Sequence, residues 1–529
     1  MSIIDLGIIV IYLGGLLYMG VRLGRGNETQ EDYFVAGRSM GWMPVALSIA
    51  ATTISGNGLI GGPGWSYQSG MKAFMLNASI PLVLAIVCCW FLPFLYHIRV
   101  TSCYEYLQKR FGEKSRILGA AGFLVTALIQ VSSMVYIPSL IISQLTGWDI
   151  RFILVLIVII STGYTLLGGI KAVIWTDAIQ MAVVWGGLFA IVFLALQNLD
   201  IGFWDTIQVA REAGKLTALD FSLSLEAENG FFVTLLGGGI LWMQYYMADQ
   251  SQVQRMFAAK SVKAVKRSLL TSGILMNTMY FLFMIIGFIM FSVYNGQVFK
   301  NTNQVMIQFI ADHVPVGVMG CIIAGIFAAA MSSVDSLLNS MATVFIKDIY
   351  EKRVLKGKRE ASLKVSRYFT LTMAVIIVIF ASFAYMDTTA SILATVGSYI
   401  SYLCGAILGM FLLGMLTEKA NDFGVSIGFF AGVAGTVILA RLFPVNYLWY
   451  NVTGLALTMG IGYLASILHK RQPDQTAGTY TLKGCRHEIR LQMKENPEMA
   501  GELPGCMDKY AWGLALFFII QYLVLFVMQ

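Results

Sequence analysis

The sequence predicts an all-α polytopic membrane protein, and three observations carry that prediction. Of 529 residues, 57% are hydrophobic and only 12% charged, with a mean hydropathy of +0.72. Crossing roughly 30 Å of hydrocarbon takes about 20 helical residues, and apolar runs near that length recur along the whole chain. Finally, glycine-rich or small polar stretches interrupt some of these runs, so the helices carry more than a spanning role.

Taken in order, fourteen spans are expected: 3–22, 42–68, 73–98, 117–146, 151–170, 178–198, 231–249, 268–294, 315–346, 368–385, 389–415, 424–440, 447–467 and 510–528. Thirty of the 36 Lys and Arg fall in the loops after odd-numbered spans. By the positive-inside tendency those loops are cytoplasmic, so both termini face outward in a multi-pass cell-membrane protein. The net charge of +7 therefore reflects loop bias and carries no nucleic-acid signal. Met1–Asp5 lacks a basic region, and Arg22 and Arg25 follow the first apolar run, so that run is expected to be a span and no cleaved leader.

Three loops have character. Residues 199–230 are polar, with room for a short surface helix. Residues 303–313 place Val305, Met306, Phe309 and Ile310 at helical spacing, suited to a helix in the membrane interface. Residues 468–509 read as a flexible cytoplasmic connector. The seven cysteines form no CxxC and the four histidines are isolated, which argues against a structural metal or haem site. Cys485 and Cys506 are expected as reduced thiols.

Span nine holds Ala328-Ala-Ala-Met-Ser-Ser-Val-Asp-Ser-Leu-Leu-Asn-Ser340. On a helix, Ala329, Ser332, Ser333, Ser336 and Ser340 share one face, bordered by Asp335 and Asn339. Lipid cannot satisfy such a stripe, and its oxygens suit a small hard cation. Span two contains Gly56, Gly58, Gly61, Gly62, Pro63 and Gly64, which predicts a broken helix whose freed carbonyls face a cavity. Span seven shows a comparable weakness at Gly237-Gly-Gly239. The two lie five helices apart, the layout of two inverted five-helix halves. The competing reading is glycines for close helix packing. Asp177, Asp249 and Asp335 lie in or at the ends of spans. A carboxylate at membrane depth costs about 2.5–3.5 kcal/mol on insertion scales, so each calls for a partner or a role. Lys171 and Arg255 are salt-bridge partners available to Asp177 and Asp249.

Three stretches together resemble the sodium:solute symporter family: Gly168–Gln180, Asp249–Lys260, and Ala328–Ser340 continuing to Phe345-Ile-Lys-Asp-Ile-Tyr350. The resemblance implies a leucine-transporter-type 5+5 inverted-repeat core over 42–415, preceded by one helix (3–22) and followed by three over 424–528, in a single transporter domain. It implies a main sodium site formed by the carbonyls of Ala51, Ile54 and Ala329 and the hydroxyls of Ser332 and Ser333. It further implies a second cation site at Asp177 and Ser336, where Asp335 replaces a serine of the family pattern. Tyr245 matches the tyrosine that closes the sugar site of galactose-transporting members. Other sugar contacts depart: Asn57 and Gly58 stand for Glu and Gln, Asn77 for Glu, Trp242 and Gly397 for Asn and Gln, and Met276 lies near an expected lysine. Losing those partners argues against a galactose-like pose. Thr52, Thr53, Ser55, Asn57, Asn77, Gln244 and Tyr245 remain as solute contacts, suited to a sialic acid, another organic acid or a polyol.

The expected function is sodium-coupled symport of a small polar organic solute by alternating access. A proton-coupled permease of the same fold, with Asp335 as carrier, and an uncoupled sensor or channel are the alternatives. The expected partners are the solute, sodium and membrane lipid, with a monomer as the working unit. No nucleophile–base pair at membrane depth suggests an enzyme.

Overall fold

A computed structural model describes residues 1–24, 29–299, 303–384, 392–469, 478–494 and 502–529. Among them, eleven helical segments are long and apolar enough to cross a membrane. The fourteen predicted spans fall on helices. α1 is Ile3–Gly24, and span two divides into α2, Trp42–Thr53, and α3, Gly56–Ser69. Span three is a nearly continuous helical run over 75–98, α4. Span four is α5, Glu113–Thr146. Spans five and six form one run, α6, Ile150–Gln197, turned at Gly169. Gly169 has φ +56°, and a Cβ there would stand 2.6 Å from the Tyr33 carbonyl, so only glycine fits the turn. Lys171 thus follows a tight turn where a loop was expected.

Span seven ends in α7, Gly239–Ala248, and a short helix α8, Gln250–Ala258, follows. Then come α9, Val262–Val293, α10, Asn303–His313, and α11, Val318–Val344. The remaining elements are α12, Leu363–Ala384, α13, Ile392–Leu416, α14, Asp422–Leu442, α15, Leu448–Leu468, α16, Leu482–Gln492, and α17, Lys509–Met528.

Burial sorts these helices. Every residue of α11 from Ile322 to Val344 is buried. The outer helices α12, α14, α15 and α17 show Phe383, Phe430, Leu464 and Phe526 on their outer faces, as lipid-facing surfaces do. α1 is fastened to the centre. Asp5 accepts the Gly317 and Gly320 N–H groups at 2.8 and 2.9 Å, capping the N-terminus of α11 from another helix.

Three local expectations change. The Gly237-Gly-Gly239 weakness is no break: the chain runs helically from 231 to 248, and Val233–Gly238 is a π-turn. A Cβ on Gly237 would lie 2.5 Å from the Leu448 carbonyl, so this glycine admits α15 at close range. In α10, Val305, Met306, Phe309 and Ile310 are fully buried and pack against α3 and α5, so this apolar face meets protein where it was expected to meet lipid. Within the 468–509 stretch, residues 470–477 and 495–501 lie outside the described residues, but α16 is a docked amphipathic helix. It buries Cys485 and Ile489, and Glu488 meets His97 at 3.3 Å. The 199–230 loop carries its expected short helix, Phe203–Glu212, and the seven cysteines are unbridged.

Candidate functional site

The break in span two falls at Ile54–Ser55, just ahead of the glycines. Ile54 is extended (φ −90°, ψ 96°) and Ser55 precedes the first turn of α3. A helix end leaves its last carbonyls without partners, and lipid cannot supply any. Here three hydroxyls from three helices supply them. Ser332 of α11 donates to the Ala51 carbonyl at 3.2 Å, Tyr245 of α7 to Thr52 at 3.2 Å, and Tyr280 of α9 to Thr53 at 3.3 Å. Ser332 and Ser333 also lie 3.2 and 3.3 Å from the Ala329 carbonyl. Ala51, Ala329, Ser332 and Ser333 are therefore gathered at one place. Ile54 is the next residue of the break, and its carbonyl makes no hydrogen bond among the described residues.

On the far side of Thr52 lies a second polar cluster. The Arg255 Nη2 meets Asp177 Oδ2 at 3.1 Å, with both side chains at 0% exposure. Ser48 donates to the same oxygen at 2.5 Å and receives the Arg255 Nε–H at 2.8 Å. Arg255 also donates to the Ser336 hydroxyl and to the Ser251 carbonyl. Thr52 and Ser336 hydroxyls are 3.1 Å apart. Asp335 turns the other way: it accepts from Tyr164 at 2.7 Å, Gln180 donates to Tyr164 at 3.3 Å, and Ser336 Oγ lies 3.1 Å from Asp335 Oδ1. Of these two buried carboxylates, Asp177 pairs with the guanidinium and Asp335 is held by the Tyr164 and Ser336 hydroxyls. Such groups persist away from water only when paired and hydrogen-bonded.

α8 places Arg255. Asp249 caps this helix, accepting the Ser251 N–H at 2.8 Å and the Ser251 hydroxyl at 2.5 Å, so it is a cap and no ion-pair partner. Although the sequence reads as a cytoplasmic loop, all of α8 is buried. Its glutamines hold it: Gln250 donates to the Thr101 carbonyl, Gln252 to Thr53, and Gln254 to the Phe34 carbonyl, Asn339 and Thr343. Sequence reasoning named Arg255 only as a salt-bridge partner and missed Ser48, Tyr164, Gln180 and Tyr280. The run of glutamines at 250, 252 and 254 was the available signal, since a helix polar all round needs polar surroundings.

The seven expected solute contacts separate into groups. Thr52 donates to the Ser48 carbonyl, Thr53 to Ile49 while facing Tyr246 at 3.0 Å, and Tyr245 to Thr52, so these hydroxyls are engaged within the protein. Ser55, Asn77 and Gln244 make no side-chain hydrogen bond among the described residues. Asn77 and Gln244 sit on segments joined by the Trp242 N–H bond to the Leu76 carbonyl, 2.9 Å. The Asn57 side chain lies outside the described residues.

Residues 33–435 match the sodium:solute symporter family. The chain belongs to that family. It is 29% identical to the sodium/sialic acid symporter NanT of Aliivibrio fischeri, over 87% of this chain and 92% of the relative. It is 30% identical to the mouse (Mus musculus) sodium-coupled monocarboxylate transporter 1, over 80% of this chain and 70% of the relative. A solved Na+-coupled sialic acid symporter, substrate-bound and outward-open, superposes with a TM-score of 0.82 at 27% identity, covering 90% of this chain and 99% of that one. The protein is thus a leucine-transporter-type multi-pass symporter, no enzyme, with sodium as its coupling ion and a small molecule as its solute.

Proposed function

We propose that this protein carries a small organic acid of the sialic acid class into the cell together with sodium. The observation that carries the reading is the set of oxygens at the broken second span. Sodium is held there by the carbonyls of Ala51, Ile54 and Ala329 and the hydroxyls of Ser332 and Ser333, a hard-oxygen set of the kind small cations take. Sodium binding ties α2 to α11, which stabilises one arrangement of the core and raises solute affinity; by linkage, solute raises sodium affinity equally. Ser55, Asn57, Asn77 and Gln244 meet the solute. Thr52, Thr53 and Tyr245 carry its presence to the break through their existing hydrogen bonds. Residues 42–415 form the moving core in a single domain with the four flanking helices, in the cell membrane and with both termini outward, as the loop charges favour. A monomer surrounded by lipid suffices, with no nucleic-acid partner.

A neutral polyol is the second reading, and one observation favours it. The described buried cationic side chains, Arg110, Arg116, Arg255, Lys266 and Lys347, are all bonded to protein carbonyls or carboxylates. Among the described residues, none is left to meet a solute carboxylate beside Asn77 and Gln244. A thermal-shift screen of purified protein against N-acetylneuraminate, monocarboxylates and polyols, each with and without sodium, separates the readings. Stabilisation by N-acetylneuraminate that depends on sodium is the expected result; stabilisation by a polyol alone selects the second. Uptake indifferent to sodium would remove both and leave proton coupling through Asp335. Ser333→Ala is expected to raise the sodium concentration for half-maximal uptake at least tenfold (about 1.4 kcal/mol) while surface expression stays normal.

A further inference from the structure

The second cation position already holds a cationic side chain in this chain. Of its three residues, Asp177 and Ser336 already bond one guanidinium, with Ser48 closing the group between them. Asp335, at the position where the family pattern has a serine, faces Tyr164 on α6. We propose that Arg255 is the resident cation of this position, and that sodium enters the chain at the break of span two alone. The inference rests on the sodium-coupled reading above and deepens it by setting the ion count.

The geometry supports a permanent occupant over a passing one. Arg255 is fully buried, and its planar fork is used on both edges: Nε on Ser48, Nη2 on Asp177 and Ser336, Nη1 on the Ser251 carbonyl. The helix that carries it is buried over its whole length and pinned through Gln250, Gln252 and Gln254. A sodium ion at Asp177 would have to displace the guanidinium or sit beside it, like charge against like charge without water between. Asp335 adds no oxygen to the guanidinium, since its own meet the Tyr164 and Ser336 hydroxyls. The Ser336 and Thr52 hydroxyls connect this cluster to α2. Arg255 is therefore a positioning residue: it holds α11 against α2 and α6 in a place where a second ion would otherwise do so.

The test counts sodium without needing the solute. Equilibrium binding of 22Na+ to purified full-length protein is expected to saturate at one ion per chain, and Arg255→Lys, which keeps the charge, is expected to stay at one. Arg255→Gln is expected to rise to two, because Asp177 then lacks its cation. Two ions in the wild type overturn the proposal and leave sodium coupling intact. One ion in both wild type and a folded Arg255→Gln overturns it as well, since Arg255 then excludes nothing. Should Arg255→Gln fail to fold, the wild-type count still decides. No bound sodium in the wild type, together with uptake indifferent to sodium, removes the parent reading itself.

Discussion

Two breaks in the buried helical core, at Ile54–Ser55 and at Asp249, are closed differently. At Asp249 the side chain that ends α7 caps the amides of α8 through Ser251, and a single outside hydroxyl, Tyr104, meets the Ala248 carbonyl at 2.7 Å. At Ile54–Ser55 nothing local does so. Ala51, Thr52 and Thr53 rely on hydroxyls from α11, α7 and α9. A break capped mainly by its own neighbouring side chain is the stiffer joint. A break completed by three other helices depends on where those helices stand, so it can respond to an ion or to their movement.

Substitutions can widen or erase that contrast. The largest effect is expected from Asp249→Ala, which removes a buried cap: a loss of about 1–2 kcal/mol, read as a lower melting temperature in detergent, with the sodium midpoint unchanged. Tyr280→Phe should behave oppositely. Removing the donor to Thr53 costs about 1 kcal/mol, and it should move the sodium midpoint as well, because the same break holds the ion. Equal effects of sodium on both variants would erase the distinction. The smallest effect serves as a control far from both breaks. Asp220, in the outer loop, accepts the Ser222 N–H at 3.0 Å and the Lys72 ammonium at 3.0 Å, and its carboxyl is held down at about 2. Its folded pKa lies below the usual carboxylate value, so its contribution is present above about pH 4 and is lost as pH falls toward 2. Asp220→Asn should cost under about 1 kcal/mol at pH 7 and less than that at pH 2.5, with sodium binding unaltered.

Much of this was legible in the residues. Apolar runs of the right length located the spans, and the serine stripe marked α11 as central because lipid could not satisfy it. The partner of that stripe was legible too, but for an imperfect reason: the glycines after Ser55 suggested a break, while the break itself precedes them and they build α3. Gly237-Gly-Gly239 carried the same composition and yielded packing against Leu448. Glycine alone does not distinguish a hinge from a close approach, since both need a missing Cβ. Arg255 was misplaced among loop charges because positive-inside counting treats any arginine beyond a span as solvated. Only tertiary structure shows that α8 folds back under the bundle. Tyr164, Gln180 and Tyr280 were invisible for another reason: a lone polar residue on a long apolar helix acquires meaning only through its partner.

Asp5 gives the first helix a consequence of its own. Its carboxylate holds the amides that begin α11, while the surface of α1 looks outward over much of its length. A helix with no accessible side chain between Ile322 and Val344 therefore has a handle at the periphery. A spin label or fluorophore on the outer face of α1, at Ile4 or Ile11, would ride with the ion-binding helix and report its tilt from a position that touches neither sodium nor solute.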